Sequence, residues 1–192
     1  TATAPGSIVV TGQTVSISTA AITVNGVAAS AADLRIGMVV ALDGRVNADG
    51  TATATAVSYS AEIIGVIDGV DATARTFTLL GQRVRTDGLT VFEGGTFEAL
   101  LGQKVEVSGL RSGPADLYAS WIRVSAEAPP AIVPVEVVGT VSSLDTTARR
   151  FAVGTQAVDY AGMAPASVPG GLANGASVRV TGSVPVAGGT VT

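Results

Sequence analysis

Four groups of side chains in this sequence have types and spacings that bear on chemistry. Glu93 and Glu98 flank the glycine-rich stretch "EGGTFE" (93–98). Two carboxylates about 5–9 Å apart would suit glycoside hydrolysis, one protonating the leaving oxygen while the other attacks or activates water. Five residues across a Gly-Gly turn do not fix such a distance, and only Phe92 and Phe97 lie nearby to stack on a sugar. Asp43, Asn47 and Asp49 in "DGRVNADG" (43–50) are hard oxygen donors of the kind Ca²⁺ takes. The stretch lacks the glutamate and spacing of an EF-hand loop, and "NADG" reads as a hairpin turn. Lys104 is the only lysine and opens the alternating run "KVEVSGLR" (104–111), which directs its side chain to water. Lastly, Asp, Arg and Phe recur together in "DATARTF" (71–77) and "DTTARRF" (145–151).

What is missing narrows the chemistry further. The 192-residue chain has no cysteine and no histidine, which removes disulfides, thiolate chemistry, the usual zinc ligands and the hydrolytic triads. "GLRSG" (109–113) lacks the spacing of a nucleophile elbow. No catalytic, cofactor-binding or metal-ligating residue is assigned, and the chain is expected to be non-enzymatic. Ten arginines and Lys104 are scattered in a chain of net charge −4, so a nucleic-acid partner is not expected. Charged residues make up 14% of the chain and hydrophobic residues 47%. An ordinary soluble domain has roughly 25% charged residues, so the surface is expected to show unusually little charge. No apolar run reaches the ~18–20 residues of a membrane span, and no signal peptide is visible in "TATAPGSIVV" (1–10).

The elements that hold these residues follow from an internal repeat. "GVIDGVDATARTFTLLGQRV" (65–84) lies over "GTVSSLDTTARRFAVGTQAV" (139–158) without a gap. Further on, "LLGQKVEVSG" (100–109) lies over "ANGASVRVTG" (173–182), sharing Gly-x-x-Val-x-Val-x-Gly. "LRIGMVVALDG" (34–44) repeats the same tail with Gly37, Val40, Leu42 and Gly44. Three tandem modules are therefore expected: 1–60, divergent; 61–127; and 135–192, with its last strand incomplete. The proline-rich "APPAIVP" (128–134) reads as a linker between the last two.

The middle module reads strand by strand. Asp71 shapes a turn by accepting a backbone N–H two or three residues on. "RTFTLL" puts Phe77 and Leu79 on one face and Thr76 and Thr78 on the other. Gly81 makes a tight hairpin at positive φ. "TFEALLG" is a helical turn ended by Gly102. Val105 and Val107 point inward, and "LYASWIRV" closes the module. The order β-β-β-α-β-β is that of an OB-like small barrel, so the fold class is all-β with three such modules, the first and last atypical. Helix is expected only in short turns near 28–36, 96–101 and 169–174.

"GSIVV" (6–10), "ITVNG" (22–26), "ADLRIGMVVALDG" (32–44), "NADGT" (47–51), "GVIDGVDATARTFTLLGQRV" and "TVFEGGTF" (90–97) carry a resemblance along essentially the whole chain. It resembles a bacterial family of exported proteins and lipoproteins with tandem OB-like repeats, catalogued as a domain of unknown function. The resemblance implies export to the periplasm, cell surface or medium, tandem β-barrels, and no established catalytic residue. The third copy departs from the pattern, with "APASVPGG" (164–171) in place of "TVFEGGTF" and an ending in "GGTVT" (188–192).

Two functions remain open. One is a structural protein that assembles with copies of itself through an open β-edge or the extended "TATAPGSIVV", forming a filament or surface layer. The other is a binding module for an oligosaccharide or small ligand on the barrel face.

Overall fold

A computed structural model describes residues 6–168, 170–185 and 189–192. They form an all-β protein in two compact units, 1–60 and 61–192. Helix is confined to three single 3₁₀ turns, Ala31–Asp33, Phe97–Ala99 and Pro165–Ser167. The third turn falls earlier than the expected 169–174. Pro165 opens it with a pre-set φ, and Pro169 lies outside the described residues.

The first unit comprises β1 (Ser7–Val10), β2 (Gln13–Ser16), β3 (Ala21–Val24), β4 (Val27–Ala29), β5 (Val40–Val46) and β6 (Ala52–Tyr59). β6 is central. It runs parallel to β2 and β3 on one side and antiparallel to β5 on the other. Its core is small: Val15, Ile17, Ala54 and Val57. "GSIVV" is no free arm, because Ser7–Val10 already pairs as a hairpin with Gln13–Ser16. Residues 1–5 lie outside the described residues.

The second unit holds both later repeats. Its strands are β7 (Ile63–Val66), β8 (Gly69–Asp71), β9 (Thr76–Leu79), β10 (Gln82–Arg85), β11 (Val91–Glu93), β12 (Lys104–Gly113), β13 (Asp116–Val124), β14 (Ile132–Asp145), β15 (Arg150–Val153), β16 (Gln156–Asp159) and β17 (Ser177–Pro185). Within the middle repeat β8 pairs β9, β9 pairs β10, β10 runs parallel to β13, β13 pairs β12, and β12 pairs β7. β7 and β8 follow one another directly in the chain, separated by Ile67 and Asp68. The expected helix is reduced to the 97–99 turn, and β11 is an additional short strand on β13.

Repeats two and three are not separate modules on a linker. Ile132, Val133 and Pro134 belong to β14 and lie opposite Pro185, Val184 and Ser183. Pro134 is tolerated because the Ser183 N–H turns away to the Thr192 carbonyl, so this pair exchanges no hydrogen bond. β14 also pairs β7, with Ile63 opposite Val137, its own counterpart in the repeat alignment. Equivalent residues facing each other across an antiparallel pair give the two repeats a local twofold relation, as in an isologous dimer interface. One hydrophobic core then runs from Ile63 to Val191. The hairpin tips meet as well: a Cβ on Gly154 would lie 2.8 Å from the Gly81 carbonyl oxygen.

The repeated residues now have physical roles. Asp71 accepts the Ala74 N–H at 2.9 Å, and Asp145 accepts those of Thr147 and Ala148 at 2.9 and 2.8 Å. Phe77 and Phe151 are both buried in the shared core. Gly44 and Gly109 sit at β-bulges where a Cβ would collide with the Thr53 and Tyr118 carbonyls. Gly182, their counterpart, would place a Cβ 2.7 Å from the Thr192 carbonyl oxygen.

Candidate functional site

The residues singled out for chemistry do not converge. Glu98 is exposed beside Arg75, at 3.8 Å, and Glu93 lies on β11. Phe97 is buried in the core and Phe92 packs against it, so neither offers a sugar platform. Asp49 accepts the Thr51 N–H and hydroxyl at 3.0 and 2.7 Å, and the Asn47 N–H donates to the Thr51 carbonyl at 2.7 Å. That is a hairpin turn joining β5 to β6, while Asp43 lies back along β5. Lys104 is half-buried and opens β12. Among the described residues no three acidic side chains cluster as metal ligands would.

A polar seam between repeats two and three is held by an ion pair, with Arg111 Nη2 buried and without a hydrogen-bond partner among the described residues. Arg111 Nε lies 3.4 Å from Glu62 Oε2, and its Nη1 donates to Gln82 Oε1 at 3.0 Å. Gln82 is buried and donates onward to the Val153 carbonyl at 3.3 Å. Burial pushes the Arg111 guanidinium below its ordinary value, and Glu62 opposes that shift. The twofold relation repeats the theme: Glu136, the counterpart of Glu62, pairs with Arg179, which also donates to the Ala61 carbonyl at 2.8 Å.

The site that stands out is a groove in repeat three. It has a volume of about 230 Å³ and lies between β16 and β17. Phe151, Tyr160, Met163 and Leu172 line it together with Asp159 and Arg179. Phe151 and Tyr160 are held in a tilted pair at 5.8 Å, and the Arg149 guanidinium lies 5.4 Å from the Tyr160 ring centre. Asp159 is held below the usual carboxylate range by the Ala161 N–H and by Arg150.

The middle repeat shows what this space corresponds to. There β13 lies parallel to β10 and antiparallel to β12, putting Leu117, Ala119, Ile122 and Val124 into the core. In repeat three the counterpart of Leu117 is Val191, which bridges Val158 in parallel, and Thr192 exchanges both backbone hydrogen bonds with Ser183. No described residue continues that strand along β17. The difference shows in burial. Val107 and Ser108 are 0% exposed and Glu106 5%. Their counterparts are half-buried for Val180 and exposed for Thr181 and Arg179. Backbone direction alternates from Ser183, so the N–H and C=O groups of Arg179 and Thr181 point away from β14.

Sequence reading missed the groove. Its signal was available in the aromatic and long apolar residues between 151 and 172, of which Phe151, Tyr160, Met163 and Leu172 line it.

The architecture is that of an all-β tandem-repeat protein. The chain belongs to the family described as domain of unknown function DUF5666, whose model matches it twice, over residues 1–58 and 64–123. No curated protein and no solved structure matches it. None of the described helices is long and apolar enough to cross a membrane.

Proposed function

We propose that this chain is a non-enzymatic structural protein of the cell exterior, built from OB-type modules. It assembles with other copies of itself by adding strands at open β-edges. The observation that carries the reading is the edge strand β5 of the first unit, which among the described residues pairs with β6 alone and exposes Val46. An edge with unpaired N–H and C=O groups is a template for another strand. The OB-type assignment is supported by the pairing order of the middle repeat, with a split first strand, a parallel third-to-last pairing and a bulged fourth strand. Residence outside the cytoplasm is supported by the sequence resemblance and by the absence of cysteine. The low charge density favours contact between copies over a fully solvated monomer.

Size-exclusion chromatography with light scattering, followed by negative-stain microscopy, tests this. Concentration-dependent oligomers or filaments are expected, and a monomer at millimolar concentration refutes the proposal. A second reading, a binding module for a small ligand or oligosaccharide, is favoured by the Phe151–Tyr160 pair lining the groove. It predicts saturable ligand binding by a monomer, lost in Tyr160→Ala.

A further inference from the structure

Two Asn-Gly steps lie in the chain, Asn25–Gly26 and Asn174–Gly175, and this dipeptide carries a reaction of its own. The glycine nitrogen attacks the side-chain carbonyl carbon of the asparagine. A bond forms between that nitrogen and Cγ, the Cγ–Nδ2 bond breaks, and the nitrogen's proton leaves with ammonia. Water then opens the cyclic imide at one of its two carbonyls, giving aspartate or isoaspartate. Glycine suits the attack because no Cβ shields its nitrogen. We infer that Asn25 is a site of this spontaneous conversion in the folded protein, and that the fold protects Asn174 from it.

Exposure does not separate the two steps, because both asparagines and both glycines are exposed. Hydrogen bonding and place in the sheet do. At Asn174 both reacting groups are held. Its Oδ1 accepts the Leu144 N–H at 2.9 Å, and the Gly175 N–H donates to the Val141 carbonyl at 2.9 Å. Both partners belong to β14, and Val141 is part of the shared core. Ring closure there requires the chain to part from a strand that is anchored in that core. Asn25 and Gly26 instead form the two-residue turn between β3 and β4, with φ of 50° and 78°, the positive values that an Asn-Gly hairpin turn takes. The Gly26 N–H meets no acceptor among the described residues, and nothing lies within 4 Å of where its Cβ would be. The Asn25 N–H donates to the Tyr59 carbonyl at 2.8 Å, but that nitrogen takes no part in ring closure. Rotation about the Asn25 Cα–C bond has to open the turn. β4 is three residues long, holds no buried residue, and among the described residues pairs with β3 alone. Opening is therefore local, at the low-stability end of the fold. The product adds a carboxylate at the hairpin tip, and its isoaspartate form lengthens the turn by one backbone carbon, which loosens β4.

The test incubates residues 1–192 in warm, mildly alkaline buffer, folded in one sample and unfolded in urea in the other, and follows tryptic peptides by chromatography and mass spectrometry. Cleavage after arginine and lysine puts the three asparagines in separate peptides: Asn25 in 1–35, Asn47 in 46–75 and Asn174 in 151–179. In the folded sample the 1–35 peptide should gain the mass of an amide-to-acid exchange and split into two products of equal mass, aspartate and isoaspartate. Conversion of 151–179 should be slower by about tenfold or more, equivalent to an opening that costs about 1.4 kcal/mol more. In urea the two Asn-Gly peptides should convert at similar rates, while 46–75, where Ala48 follows Asn47, lags in both samples. Equal rates in the folded protein, faster conversion at Asn174, or an Asn25 that stays unchanged while both react in urea overturns the inference. A difference between the two that persists in urea overturns it as well, because the fold is then not its cause.

Discussion

Phe77 and Phe151 occupy the same heptad position in two repeats, and their removal should cost different amounts. Phe77 is 1% exposed and enclosed on all sides by the shared core. Phe77→Ala leaves a sealed void, and about 3–5 kcal/mol is expected. Phe151 is also buried but borders the groove of about 230 Å³. Truncating it widens a space that is already open, so neighbouring side chains and water can fill the gap. With a cavity contribution of about 24 cal/mol per Å³, avoiding a sealed void of roughly 100 Å³ saves about 2 kcal/mol. Phe151→Ala is therefore expected to cost about 1–3 kcal/mol. Urea unfolding followed by fluorescence measures both, because Trp121 is the only tryptophan and is buried on β13. A repeat-three change must reach a repeat-two reporter if the two repeats share one core. Equal losses would refute the open groove. A Trp121 transition that ignores Phe151→Ala would refute the shared core.

Three further outcomes are expected. Gly109→Ala, which drives a Cβ into the Tyr118 carbonyl at a bulge, should destabilise by more than about 2 kcal/mol, whereas Gly162→Ala, in open space, should stay within about 0.5 kcal/mol in the same urea titration. Arg111→Ala strips Glu62 and Gln82 of a half-buried partner and should cost about 1–3 kcal/mol by thermal or urea unfolding, with Arg111→Lys recovering only part of it. Stability should fall with acid: the carboxyls of Asp116, held low by Arg83, and of Asp159, held low by the Ala161 N–H and Arg150, have folded values below their unfolded ones. Their contribution is present above the unfolded value of about 3.9 and lost as pH drops through the folded value. Urea midpoints measured from pH 7 to 2 should decline below about pH 4, and a flat profile would contradict the assignment.

Local features of the fold were legible because they depend on neighbours in sequence. The Asp71 and Asp145 turns, the alternation of Phe77 and Leu79, the Gly81 hairpin and the Gly102 stop follow from side-chain geometry and glycine's access to positive φ. The partnership of repeats two and three was not legible. It depends on Ile63 meeting Val137 across seventy-odd residues and on Pro134 finding a position in β14 that needs no N–H. A proline-rich stretch reads as a linker unless its pairing partner is known. The groove was hidden for a similar reason. Periodicity shows that Val178 and Val180 alternate, but that they line a groove depends on residues distant in sequence, Phe151 and Tyr160 among them. The candidate carboxylates dispersed because turns and surface ion pairs use the same residue types as active sites.

The central claim is that copies of this chain assemble with one another. Light scattering of the chromatographed protein over a wide concentration range tests it most directly. A mass that rises with concentration is expected, and a mass that stays that of one 18.9 kDa chain up to millimolar concentration would contradict the account.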